Sequence, residues 1–308
     1  CPYRADQLPS HADPPLLPPV ELLNGMKFAI YTSGYRFRSL EQAFIDARSY
    51  GYDGLELCGE RPHAYAPDLH GSRLAQILRW SDQYQMPVIG YCPKVNGYPF
   101  NLMLGDRDIW EDSLAYVRRT LDTARELGAG FSVIAFGQAA DGLSRAQKQH
   151  RMQESLLRLA DHAARRETLL LIEPLTVWES DSLCSAAELA ALLKQVDCPY
   201  IAGMCDTVVP FTRTAQGGSP ETLDTYFDLL GPRLRHIHMT DSDGHTENHI
   251  LPGHGIAPLK DMLSTLRRRG YEGYITIELV SMYLSAPTYC AEAALAHMRR
   301  LEAELLSP

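Results

Sequence analysis

From Met26 onward, short apolar runs alternate with longer segments whose apolar residues recur at helical spacing. This alternation predicts βα units, each strand covered by the helix that follows it. Strands are expected at 27–31, 54–57, 88–92, 131–136, 169–173, 201–206, 234–239 and 274–279, and helices at 40–50, 71–84, 109–126, 145–165, 186–195, 221–230, 259–269 and 289–305. Eight of each in strict alternation predict an α/β fold of the (β/α)8 TIM-barrel type, with an open doubly wound sheet as the second choice. Gly51, Gly128 and Gly270 each follow a helical segment, where a left-handed cap suits glycine. The near-copies at 51–54 and 270–273 read as ordinary helix-to-strand turns rather than as a repeat.

Composition narrows the setting. The 308 residues are 45 % apolar and 22 % charged, enough for one large core. A formal charge of −9 provides no positive field for a phosphate backbone, so nucleic acid is not an expected partner. No run approaches the roughly 18–20 apolar residues of a membrane helix. The seven cysteines stand singly, without a CxxC pair, which argues against a disulfide frame and for a reducing cytoplasm. Residues 1–25 are proline-rich and lack either period, so they are set aside as an irregular leader, and 26–308 are taken as a single catalytic barrel domain.

In a barrel the chemistry gathers where the strands end. Four consecutive predicted strands close on a possible metal ligand: Glu173 in LLLIEPL, Asp206 in IAGMCDT, His238 in RHIHMTD and Glu278 in ITIELV. Their spacings of 33, 32 and 40 residues are each about one βα unit, so all four reach the same rim. Three carboxylates and an imidazole form a hard, oxygen-rich set suited to Mn2+, Mg2+ or Co2+ rather than to a structural zinc. A buried glutamate in Ile-Glu-Pro or Ile-Glu-Leu must be paired or must coordinate a cation, because an unpaired buried carboxylate costs several kcal/mol. Glu179 lies on the same rim. His236 is either a second layer beneath the metal or a core imidazole bonded to backbone. The loop after strand seven offers His245, His249 and His254. The segments 60–67, with His63, and 94–104, with Asn96 and Tyr98, are rich in aromatic and hydrogen-bonding groups fit for the wall of a polyol pocket.

At these residues the chain resembles the xylose isomerase-like barrels and, among them, the ketose 3-epimerases, with the fructoselysine 3-epimerases as the nearer likeness. The likeness rests on Arg61-Pro62-His63-Ala64, Ala66-Pro67-Asp68-Leu69, Asn96-Gly97-Tyr98-Pro99, Met103-Leu104-Gly105-Asp106, Glu173-Pro174-Leu175-Thr176, Asp241-Ser242-Asp243-Gly244, Gly270-Tyr271-Glu272-Gly273-Tyr274, and Glu278-Leu279-Val280 with Met282-Tyr283. It runs from Met26 to about Leu305. The resemblance implies that Glu173, Asp206, His238 and Glu278 bind one divalent metal per subunit, Mn2+ first, with Co2+, Mg2+, Ni2+ or Zn2+ as alternatives. It further implies that Glu173 and Glu278 are the two catalytic groups, one removing the C3 proton of an open-chain ketose and the other returning a proton to the opposite face, through an enediolate. Glu179 matches a substrate contact near the reacting carbons, and His63, Asn96, Tyr98 and His249 are taken as further substrate contacts.

Two positions depart from the pattern of the free-ketohexose epimerases, which resemble Asp-Thr-Phe-His after strand six and place an arginine six residues beyond the metal histidine. Here Val209 and Gly244 stand there. That favours a ketosamine of the fructoselysine and psicoselysine pair, with His249 as the replacement contact. The alternatives are a free-ketohexose epimerase of tagatose or psicose type, a sugar or hydroxypyruvate isomerase of the same fold, and a sugar-binding barrel without turnover. An endonuclease of this superfamily would want more histidine ligands and a basic groove. A homo-oligomer, dimer or higher, is expected through the aromatic segments 63–67 and 98–100.

Overall fold

In the computed structural model, which describes residues 25–279 and 284–306, eight parallel strands pair in chain order and β8 pairs back onto β1 to close a barrel. The strands are β1 (Lys27–Tyr31), β2 (Gly54–Cys58), β3 (Val88–Cys92), β4 (Phe131–Ala135), β5 (Leu169–Glu173), β6 (Ile201–Asp206), β7 (Leu234–Met239) and β8 (Tyr274–Ile277). The helices are α1 (Leu40–Tyr50), α2 (Gly71–Tyr84), α3 (Arg107–Leu127), α4 (Arg145–Arg166), α5 (Ala186–Val196), α6 (Val208–Thr212), α7 (Leu223–Leu230), α8 (Leu259–Arg268) and α9 (Pro287–Leu306). The closed barrel expected from the alternation is therefore the fold. The leader up to residue 24, and the Val280, Met282 and Tyr283 matches, lie outside the described residues.

Local chemistry sets the boundaries. Asp106 caps α3 by accepting from the amides of Asp108 and Ile109, which starts that helix two residues before the expected position. Thr222 forms a capping box with Thr225, so α7 begins at Leu223, while Glu221 turns back to accept from the Ala186 amide at the start of α5. Gly51 and Gly128 cap α1 and α3 at φ +88° and +74°. The one-turn α6, which contains Pro210, is too short to leave a periodic signal. Strand β8 ends at Ile277, yet the Glu278 amide still donates to the Met239 carbonyl, so Glu278 remains held to β7.

Alternation along each strand sorts side chains into two layers. Leu170, Ile172, Ile201, Cys205, Ile237, Ile275 and Ile277 point outward into the core shared with the helices. Ala29, Ile89, Phe131, Val133, Leu169, Leu171, Ala202, Met204 and Tyr274 fill the barrel interior. Continuing the interior series by two residues at a time reaches Glu173 after Leu171, Asp206 after Met204, and Thr276 then Glu278 after Tyr274. The same parity that packs the barrel thus aims the polar residues at its mouth.

The interior also supports the site from below. Gly90 pairs in register with Phe131, and a Cβ on Gly90 would overlap the Phe131 ring. That ring packs against His236 with centroids 4.5 Å apart. Gly90→Val is expected to overpack this layer and to lower stability by about 1–3 kcal/mol. The check is the midpoint of urea unfolding followed by circular dichroism, and an unchanged midpoint would contradict the packing account.

Candidate metal centre

The four expected ligands converge at the mouth of the barrel. Nδ1 of His238 lies 2.7 Å from Glu278 Oε2 and 3.5 Å from Glu173 Oε1. Asp206 joins through His249, whose Nε2 is 2.9 Å from Asp206 Oδ2 and 3.7 Å from Glu278 Oε2. Two overlapping groups result, Glu173–His238–Glu278 and Asp206–His249–Glu278, each with its donor atoms within 4.8 Å of one another. All of these side chains except His238 line one cavity over the strand ends.

Beneath them sits a carboxylate that reading along the chain did not single out. Glu56, at the inward-facing centre of β2, is fully buried. Its Oε2 accepts from His236 Nε2 at 2.8 Å, His238 Nε2 at 3.0 Å and Thr276 Oγ1 at 2.8 Å. Burial alone would push the Glu56 carboxyl up, but the two imidazoles hold it well below the usual carboxylate range. His236 is accordingly the layer beneath, bonded to a carboxylate and to Thr276 rather than to backbone, and burial holds its pKa below that of a free imidazole.

This network tests whether the residues fit a cation. Because Glu56 accepts from Nε2–H of His238, Nδ1 is the nitrogen left to face the carboxylates above; against the ring's own burial, Glu56 and Glu278 hold the His238 pKa well above that of a free imidazole, so with no cation between them Nδ1 keeps its proton. Nδ1 is buried and makes no well-directed hydrogen bond, although it faces Glu278 and Glu173. A cation among these carboxylates would displace the Nδ1 proton and leave an imidazole whose far N–H is held by a carboxylate, the arrangement metal-binding histidines adopt. The donor set is hard and mostly oxygen, and it fits a divalent cation of the Mn2+ or Mg2+ kind.

The charges around the cavity shift one another. Burial, opposed by His238 and reinforced by Glu278, pushes the Glu173 carboxyl up to about 7. Burial together with Glu247 also pushes Glu179 up to about 7. Burial would raise Asp206 as well, but the bonded His249 cation outweighs it and holds Asp206 below its ordinary value. Against its own burial, His249 is pushed up to about 10 by Asp206 and Glu278. Its Nδ1 donates to the Glu247 carbonyl at 3.0 Å, so both ring nitrogens serve as donors.

The loop that carries His249 is pinned by Asp241, which is 2 % exposed. Its carboxylate accepts from the amides of Ser242, Gly253, Gly255 and Ala257, each at 2.9 Å. Of the other expected substrate contacts, Glu179 and Asn96 line the cavity. His63 instead bonds the Arg38 carbonyl through Nε2 at 2.7 Å, and Tyr98 is 94 % exposed; neither borders the cavity. Nor do Val209 and Gly244, the two departures from the free-ketose pattern.

Replacing Glu56 by glutamine keeps its shape but removes the charge that orients His238. Glu56→Gln is expected to weaken divalent-cation affinity roughly 10–100-fold, read by titrating Mn2+ and following the signal of the free ion by electron paramagnetic resonance. Wild-type affinity in a folded Glu56→Gln protein would count against the orienting role.

Comparison with known proteins agrees with this architecture. Residues 44–301 match the family described as xylose isomerase-like TIM barrel. A fructoselysine 3-epimerase from Escherichia coli O157:H7 is 40 % identical over 276 residues, which make up 90 % of this chain and 98 % of that protein. Two solved structures share the fold at low identity. A D-psicose 3-epimerase studied in the presence of D-fructose has a TM-score of 0.75 at 20 % identity, covering 90 % of this chain and 99 % of its own. The 3-keto-D-glucoside 4-epimerase from E. coli has a TM-score of 0.74 at 18 % identity, covering 89 % of this chain and 99 % of its own. The chain therefore belongs to the fructoselysine 3-epimerase and ketose 3-epimerase family of xylose isomerase-like TIM barrels, a family of isomerases.

Proposed function

We propose that the protein is a divalent-metal-dependent sugar 3-epimerase that inverts C3 of a ketosamine, interconverting fructoselysine and psicoselysine. The observation that carries this reading is the position of Glu173 and Glu278, which close on Nδ1 of the same buried His238 from different parts of the barrel rim. Support for the substrate comes from the 40 % identity to a fructoselysine 3-epimerase over nearly its whole length.

Glu173, Asp206, His238 and Glu278 would hold the cation, with Mn2+ the first choice for this donor set. When bound, it supplies Lewis acidity beside the ketose oxygens, which lowers the cost of negative charge as C3 gives up its proton. Glu173 ends β5 and Glu278 follows β8, with the Asp206 and His238 strands between them in the barrel order. A sugar chain lying over that rim is flanked by the two carboxylates. One takes the C3 proton, and the other delivers a proton to the opposite face, which inverts the centre. The reverse reaction exchanges the two roles, so each group must pass through both protonation states. Without a cation Glu173 is pushed up to about 7, and a bound cation would lower it, so the loaded site sets its protonation state during turnover. Glu179 and His249 border the same cavity and are assigned to the sugar hydroxyls, His249 as a donor in place of the polar groups absent at Val209 and Gly244.

The test is proton NMR of fructoselysine in D2O with protein and catalytic Mn2+. Loss of the C3 proton and growth of a second diastereomer are expected. Exchange confined to fructose, psicose or tagatose would move the substrate to free ketoses, and silence on every ketose with metal bound would favour an isomerase of the same fold or a binding protein. Glu173→Gln and Glu278→Gln are each expected to lower C3 exchange by roughly 10²–10⁴-fold, and retained deuterium uptake in either variant would remove the two-carboxylate mechanism.

A homo-oligomer is part of the same proposal. The exposed Tyr98 lies beside Phe100, which stacks on Tyr116 with ring centroids 3.9 Å apart, a rigid aromatic edge suited to a second copy. Light scattering is expected to give the mass of two or more chains, and a single-chain mass at working concentration would overturn this part.

A further inference from the structure

We propose that the outer rim of the cavity is a subsite for the zwitterionic amino-acid end of a glycated lysine, with Lys94 and the Arg36–Glu60 ion pair as its specificity-determining residues. The inference rests on the ketosamine reading above and names the part of the protein that would read the end remote from the sugar.

The cavity that contains Glu173, Asp206 and Glu278 extends to Arg36, Glu60 and Lys94. Arg36 follows β1, Glu60 follows β2 and Lys94 follows β3, whereas the candidate metal ligands come from β5 to β8. A ligand anchored by its sugar on the second half of the barrel therefore finds charged side chains on the first half. None of these three takes part in the proposed proton transfer.

Their chemistry is that of a zwitterion's complement. The guanidinium Nη2 of Arg36 lies 2.6 Å from Glu60 Oε2, with side chains 41 % and 27 % exposed. An ion pair that is open to a cavity presents a cation and an anion side by side, and an α-amino acid presents the opposite signs on one carbon. Arg36 bonds Glu60 through one of its five N–H groups, leaving others for a carboxylate. Lys94 is exposed, lines the same cavity, and has no hydrogen-bond or ion-pair partner among the described residues. We assign the substrate carboxylate to Lys94 and Arg36 and its α-ammonium to Glu60. Val95, Leu175 and Leu284 line the same cavity and are among its apolar groups nearest in kind to the butyl stem of lysine. A free ketose has nothing to place at this rim, so the charges discriminate between substrates rather than drive the reaction.

The experiment compares fructoselysine with its decarboxylated counterpart, fructosylated 1,5-diaminopentane, using C3 deuterium exchange with the Mn2+-loaded protein. Wild type is expected to prefer fructoselysine by roughly tenfold or more in kcat/KM, mainly through KM. Lys94→Met and Arg36→Met are each expected to lose that preference while their rate on the decarboxylated compound stays near wild type. Lys94→Gln, which keeps a polar side chain at an exposed site, serves as the second variant, with circular dichroism to establish that it is folded. A wild type that treats both compounds alike, or variants that slow both equally, would overturn the subsite while leaving the ketosamine epimerase reading intact. Exchange of free ketoses with neither ketosamine touched would overturn both.

Discussion

A fully buried carboxylate in the middle of the barrel is the constraint on which the site depends. Glu56 stays charged there because two imidazoles and a hydroxyl donate to it from β7 and β8, strands that lie on the other side of β1 in the closed barrel. Leaving it unpaired would cost several kcal/mol, so the pairing and the barrel closure require each other. The same bonds fix the ring of His238, and with it the position of Nδ1 facing Glu173 and Glu278. Phe131 wedges His236 from below and fits only because Gly90 has no side chain. Packing, charge and ligand orientation are thus one arrangement seen at three depths.

Above this floor the electrostatics change character. Glu173 and Glu179 are both crowded by burial and by other carboxylates, and both are pushed up to about 7. Asp206 escapes that fate because His249 reaches it across the mouth, and His249 can do so because Asp241 gathers four loop amides and fixes the path of the chain. A loop that is irregular in sequence becomes as well determined as a strand once a buried carboxylate satisfies its backbone. The result is a mouth where Asp206 stays charged while Glu173 and Glu179, with no cation bound, are pushed toward the neutral form.

How much of this was legible along the chain follows from which physical rule placed each residue. The strands and most helices follow periodicity, and the four expected ligands follow the period of two that also packs the barrel, so Glu173, Asp206, His238 and Glu278 were readable together. Glu56 obeyed the same parity in Gly54-Leu55-Glu56-Leu57-Cys58, and a charge between two leucines on a short apolar run was its signal. Its partners lie 180 or more residues away, and only barrel closure brings them into reach. Loop residues follow neither period. Asn96 and His249 reach the cavity, while His63 turns to the Arg38 carbonyl and Tyr98 to solvent, because local backbone acceptors and turn geometry decide such positions.

The arrangement also separates what reacts from what selects. The proposed chemistry occupies strands five to eight, where each inward position at the mouth is already a carboxylate or an imidazole and a substitution changes metal and proton transfer together. Val209 is buried, Gly244 sits at φ +76° where a side chain would be strained, and neither borders the cavity, so neither position regains a sugar contact by a simple substitution. The loops after strands one to three carry no such burden. Arg36, Glu60 and Lys94 are held there by little more than one exposed ion pair, which contributes little to stability, so the charge pattern at the rim is free to follow the substrate. On the proposed reading, the β5–β8 half holds the sugar, with Glu179 and His249 on its hydroxyls, and discrimination by what the sugar carries falls to the opposite half.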